Sequence, residues 1–175
     1  MTNSSVALQD SSTPNGQCFG CGPLHPEGLQ IKSHWSDDGE SVICRFTPDT
    51  RYNGWPGLVY GGLIAMLVDC HSNHTAIAYH YLQDGRAAGD GEEPIECVTG
   101  HLGIGYKKPT PMGVELTLKA WVEGEVGRKS RVICEVWAGD IMTCRGDSVF
   151  VRVQADKLRA QARKMIADLG IPGDV

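Results

Sequence analysis

The sequence predicts an α+β domain in which one antiparallel sheet wraps a single long helix, on three observations. The run from Gly61 to about Tyr81, GGLIAMLVDCHSNHTAIAYHY, has no Gly or Pro after its opening pair and is apolar around most of its circumference over the first half. Six strand-like runs flank it, two before and four after. The chain, at 175 residues, is about one domain long, and a helix that apolar needs a sheet to cover it.

In chain order, residues 1–17 are polar and rich in Ser, Thr and Asn, which predicts a disordered tail. CFGCGPLHPEGL, from Cys18, reads as turns. LQIKSHW and SVICRFT alternate apolar and polar residues on either side of SDDGE, the pattern of a hairpin. PDTRYNGWPG is a loop, the long helix follows, and LQDGRAAGDGEEP is loop again. CVTGHLGIGYKKP, VELTLKAWVEG, SRVICEVW and IMTCRGDSVFVRV predict four strands. Their short connectors, TPMG, EVGRK and AGD, predict antiparallel pairing between sequence neighbours. QADKLRAQARKMIADLG closes the chain as an amphipathic helix ended by glycine. The expected division is a disordered tail over 1–17, one domain over 18–153, and a C-terminal helix and tail over 154–175.

Charge and cysteine usage narrow the partners. Sixteen basic against 21 acidic residues give a formal charge of -5, which argues against a nucleic-acid surface. Seven cysteines, an odd number scattered through apolar runs, make a poor disulfide framework. The first residues lack the basic cluster and apolar core of a signal peptide, and no run is apolar for long enough to span a bilayer. Free, buried thiols in a cytoplasmic protein without a membrane partner are the expectation.

Asp69 follows Leu67 and Val68 inside the apolar part of the helix. A lone helix Asp is ordinarily exposed to solvent. Burying an unpaired carboxylate is costly, so this position implies a partner or a function, and burial would raise its pKa toward that of a general base. Gly61 and Gly62 open the same helix, where free N–H groups and the helix dipole favour negative charge. They form either an oxyanion site or a tight turn into the helix. Asp69 lies eight residues beyond Gly61, about 12 Å along the axis. One helix therefore cannot easily offer both to one carbonyl, whereas two antiparallel helices across a two-fold axis can. If both features are functional, the protein is a dimer with two interfacial sites.

YNGWPGLVYGGLIAMLVD resembles the helix-start motif of hotdog-fold thioesterases of the PaaI type, G-x-x-H-G-G with an Asp or Glu nine residues after the His. Tyr60 stands at the His position, Gly61 and Gly62 follow, and Asp69 falls on the acid. CFGCGPLHPEGLQIKSHW is similar to the N-terminal segment of one branch of that family, and LGIGYKKPTPMG to its strand after the helix. The resemblance covers roughly residues 18 to 153. It implies a hotdog fold that hydrolyses an acyl-CoA or related acyl thioester, without a cofactor, as a homodimer or a dimer of dimers (a homotetramer).

Residue by residue, the resemblance implies that the Gly61 N–H polarises the thioester carbonyl. Asp69 of the facing subunit would act as general base or nucleophile, and Thr99, ten residues before Pro109, would hold the acid or the water. Asn53 matches a loop Asn of some relatives, one residue further from the glycines. Tyr60, Gly62, Trp55 and His74 are candidates for contact with substrate, Trp55 as a wall of the acyl pocket, with His71 or His74 at the dimer seam or the substrate tunnel. Lys107, Lys108 and Arg145 are candidates for the CoA phosphates. Tyr60 departs from the family pattern, because a tyrosine can donate a hydrogen bond but does not take up a proton at neutral pH. It either adds a donor to the carbonyl or packs in a protein that binds acyl thioesters without hydrolysing them. A hydratase or dehydratase ranks lower, since the His-acid pair of such enzymes is missing here.

Two further groups have metal-binding residue types. His71 and His74 beside Asp69 lack a third convergent ligand. Cys18-x-x-Cys21 with His25 lacks a fourth ligand at recognisable spacing. Both read as packing, and no metal is expected.

Overall fold

The long helix spans Gly61–Gln83 (α2) in the computed structural model, which describes residues 6–171. It begins at Tyr60, whose carbonyl accepts from the N–H groups of Leu63 and Ile64. It ends at Gly85, with φ at +65°, where Gly85 N–H reaches Leu82 O and Arg86 N–H reaches Tyr81 O. Glycine suits this left-handed turn, which satisfies the last carbonyls. Leu63, Ile64, Leu67, Val68, Ala76 and Ile77 are buried, and each large one contributes about 2 kcal/mol by leaving water. Gly62, Ala65, Met66, Asp69 and Asn73 stay partly open, spaced as neighbours on one helix face.

Six strands wrap this helix: Ser33–Trp35 (β1), Val42–Phe46 (β2), Glu96–Tyr106 (β3), Leu116–Val122 (β4), Lys129–Ala138 (β5) and Ile141–Val153 (β6). Every pairing is antiparallel and the order is β1-β2-β4-β5-β6-β3. Val68 meets β6 where Gly146 stands, and a Cβ there would lie 2.5 Å from Val68 Cγ1. Helix and sheet approach that closely because the glycine has no side chain.

One predicted pairing is corrected. TPMG is not a hairpin, and β3 pairs with β6 rather than β4. Residues 107–115 instead cross β6 and β5, a span of about 14 Å at three strand spacings. Backbone bonds to the loop before α2 hold the crossing: Val59 N–H to Thr110 O at 2.9 Å and Met112 N–H to Gly57 O at 2.9 Å. The crossing leaves β3 as an edge strand whose outer side has no partner strand among the described residues.

The predicted N-terminal tail is also corrected where it can be seen; residues 1–5 lie outside the described residues. Leu8–Ser12 form a short helix (α1) with Leu8, Gln9 and Ser12 buried. Gln9 Nε2 donates to Ser33 Oγ at 2.9 Å, and Ser33 Oγ lies 2.8 Å from His71 Nδ1. His71 Nε2 lies 3.1 Å from the Val42 carbonyl, so Nε2 carries the proton and Nδ1 accepts. This buried polar chain docks α1 onto β1 and α2, and it gives His71 a structural role. At the other end, Ala155–Asp168 (α3) buries no residue and closes at Gly170 (φ +67°); residues 172–175 of the expected tail lie outside the described residues. Cys18 is exposed, the other six cysteines are buried, and all are free thiols. Among the described residues no helix is long and apolar enough to cross a membrane.

Candidate active site

Asp69 sits midway along the open stripe of α2. Its Oδ1 accepts a hydrogen bond from Thr99 Oγ1 at 2.7 Å, and its Oδ2 has no partner among the described residues. Burial holds this carboxyl above its ordinary range, against the pull of the Thr99 hydrogen bond, and the neighbouring Cys18 pushes it further up. Thr99 belongs to edge strand β3, immediately before a bulge at which Gly100 is left unpaired between Thr99 and His101. Bulges re-aim side chains, and the one here lies beside the residue that reaches the helix.

At the start of α2, the N–H groups of Gly61 and Gly62 have no hydrogen-bond partner among the described residues. Both glycines also lie close beneath tyrosine side chains. Tyr106 donates to Gly61 O at 2.6 Å, and a Cβ on Gly61 would lie 3.3 Å from the Tyr106 hydroxyl. A Cβ on Gly62 would lie 2.5 Å from the Tyr60 ring, which rests over that glycine while remaining 57% exposed. Turn packing and free donors thus coexist at one place.

Lys107 and Lys108 stand at the same end, lining a hollow of about 340 Å³ with Gly61, Ile64, Tyr106 and Pro109. Neither is ion-paired among the described residues. Arg145 is committed elsewhere: it binds Glu135 at 2.7 Å and lies 5.8 Å from the Trp121 ring centre. Asn53 follows the short 3-10 turn Thr50–Tyr52, and Trp55 is 77% exposed in the same loop. His74 is not brought to Asp69. It lies five residues on, about 140° round the helix. There it is buried, with Nδ1 3.4 Å from Ser12 Oγ, and lines a cavity of about 500 Å³ with Leu8, Trp35, Ile77 and Tyr81.

Beside Asp69 the fold assembles a group that sequence spacing did not reveal. Cys18 and Cys21 of the N-terminal turn meet Cys70 of α2, with the three Sγ atoms within 4.8 Å of one another and Cys18 3.8 Å from Cys70. Contacts with Cys21 first and Cys70 second hold the Cys18 thiol well below its ordinary range. The contact with Cys18 is the largest influence pushing Cys21 up to about 12, and Cys70 is raised as well. His25 does not join them: its Nδ1 accepts from Glu27 N–H at 3.2 Å and its ring meets Phe19 edge-on.

No protein-family model matches the chain. The acyl-coenzyme A thioesterase THEM4 of Rattus norvegicus is 25% identical over 132 residues, covering 74% of this chain and 51% of that protein. Its counterpart from Xenopus laevis is 29% identical over 113 residues, covering 65% of this chain and 45% of that protein. The chain thus spans about half the length of the curated relatives it matches. A crystal structure of a thioesterase superfamily protein from Shewanella loihica PV-4 is 35% identical with a TM-score of 0.57, covering 71% of this chain and 91% of that one. That similarity extends across nearly the whole of the Shewanella chain. The chain belongs to the thioesterase superfamily, and its fold is the hotdog.

Proposed function

We propose that the chain hydrolyses an acyl thioester, of the acyl-CoA class, at a site completed by a second copy of itself. The observation that carries this reading is Asp69: a partly buried carboxylate held on one oxygen by Thr99, with the other oxygen free. Such a group is oriented and raised in pKa, as a general base needs to be. The free N–H groups of Gly61 and Gly62 supply oxyanion donors, but about 12 Å from Asp69 on the same helix. A second helix packed antiparallel on the open stripe brings the two together. Edge strand β3, unpaired along its outer side among the described residues, offers the backbone surface for such a pairing.

In this reading Asp69 takes a proton from water as the water oxygen attacks the thioester carbonyl carbon. The N–H of the second copy's Gly61 stabilises the oxyanion. Collapse breaks the C–S bond, and the proton leaves with the thiolate, giving free acid and thiol. Lys107 and Lys108 hold the CoA phosphates at the helix start, and residues 18–153 form the domain that does this work. The names of the THEM4 relatives support the acyl-CoA class.

Tyr60 stands where the PaaI-type motif has His, and its ring over Gly62 favours a second reading, an acyl-thioester binding protein without turnover. Thiol release from acyl-CoAs of varied chain length and aromatic character, by wild type and Asp69→Asn, separates the two. Hydrolysis predicts a loss of at least about 100-fold in kcat in the variant; equal background rates with retained binding would establish the second reading.

A further inference from the structure

From the three-cysteine cluster we infer that Cys18, Cys21 and Cys70 form a site for a thiophilic divalent cation of the zinc class, which ties the N-terminal turn to the central helix. The cluster joins segments about fifty residues apart in sequence, so no spacing motif contains it. Tetrahedral zinc with sulfur bonds of about 2.3 Å sets its sulfurs about 3.8 Å apart. The Cys18–Cys70 separation is already 3.8 Å, and all three Sγ atoms lie within 4.8 Å.

The turn is shaped around this meeting. Gly22 N–H bonds Cys18 O at 2.7 Å, closing the loop that carries the first two thiols. A Cβ on Gly20 would lie 2.4 Å from Cys70 Sγ, so the backbone between the two cysteines rests directly on the third. Leu29 N–H to Phe19 O at 2.8 Å and Ile31 N–H to Gly20 O at 3.2 Å fix the other side of the loop. Cys21 and Cys70 are buried while Cys18 reaches solvent, which gives the cation a way in. The cation takes all three sulfurs as thiolates, and any proton still on a sulfur is released to solvent on binding. Three protein donors leave one tetrahedral position for a ligand from outside.

The test uses the full chain, reduced, stripped with chelator and titrated anaerobically with Co²⁺, then with Zn²⁺. Wild type should develop the sulfur-to-cobalt charge-transfer band and the visible bands of tetrahedral cobalt, bleached by stoichiometric zinc. Cys21→Ser should lose the band at least about tenfold in affinity, while Cys97→Ser, a buried thiol elsewhere, should leave it unchanged. Cys18→Ser, on the exposed turn where folding is least at risk, should weaken it as well. Zinc should protect Cys18 from alkylation. No charge-transfer band in wild type, or equal bands in Cys18→Ser and wild type, would overturn the assignment. So would a Cys18–Cys21 or Cys18–Cys70 disulfide, seen by intact mass, that forms in spite of stoichiometric zinc.

Discussion

Thr99 Oγ1 donates to Asp69 Oδ1 at 2.7 Å, so the edge strand of the sheet holds the carboxylate of the central helix from outside. Asp69 and Thr99 lie 30 residues apart in sequence, and the β6–β3 pairing with the Gly100 bulge brings the hydroxyl to the carboxylate.

Removing that hydrogen bond should slow turnover without unfolding the protein. A bond to a charged acceptor is worth about 1.5–3 kcal/mol, so Thr99→Ala should lower kcat about 10- to 100-fold. Thr99→Ser, which keeps the hydroxyl, should stay within about threefold. Steady-state kinetics on one acyl-CoA check both, and equal losses in the two variants would assign Thr99 a packing role.

Much of this arrangement is legible in the sequence, for identifiable reasons. The long helix is marked by the absence of breakers and ends at a glycine, and two of the three predicted hairpin connectors after it form hairpins. Asp69 stands out because a charge interrupts an apolar run, and Thr99 is placed by the motif around Pro109. The β3–β4 crossing is hidden, because TPMG has turn composition whether or not its strands pair. The docking of α1 is hidden too, since it rests on a buried Gln9–Ser33–His71 chain rather than on apolar periodicity. Cys70 looks like one more buried thiol until the turn folds onto it, and the Arg145–Glu135 ion pair depends on the β5–β6 register.

The two lysines at the helix start should act on CoA rather than on the acyl group. Lys107→Ala with Lys108→Ala should raise KM for acyl-CoA about 5- to 10-fold with little change in kcat. Acyl thioesters of a phosphate-free thiol should show no such change, and rising salt should narrow the difference between wild type and variant.

Buried histidines should make the fold acid-sensitive. Burial pushes His71 down to about 3 and His74 down to about 4, from an ordinary 6.5. Below pH 6.5 the unfolded chain binds protons that the folded chain refuses. The stability these groups contribute is therefore fully present above 6.5 and is lost as pH falls toward 4 and 3. By about pH 5 each costs about 2 kcal/mol relative to neutral pH. Urea midpoints measured at neutral pH and near pH 5 check the sign; a midpoint that rises on acidification would contradict it.

A shared site makes one further demand, that two defective subunits can repair each other. Gly61→Pro removes the helix-start N–H at a position where proline is tolerated, and Asp69→Asn removes the base. Each variant alone should be inactive. Mixed by co-refolding, half of the dimers pair one of each, and one site in each of these has both groups intact. Thiol release should then recover to about a quarter of wild type. Activity no greater than the sum of the two parents would contradict a site built from both subunits.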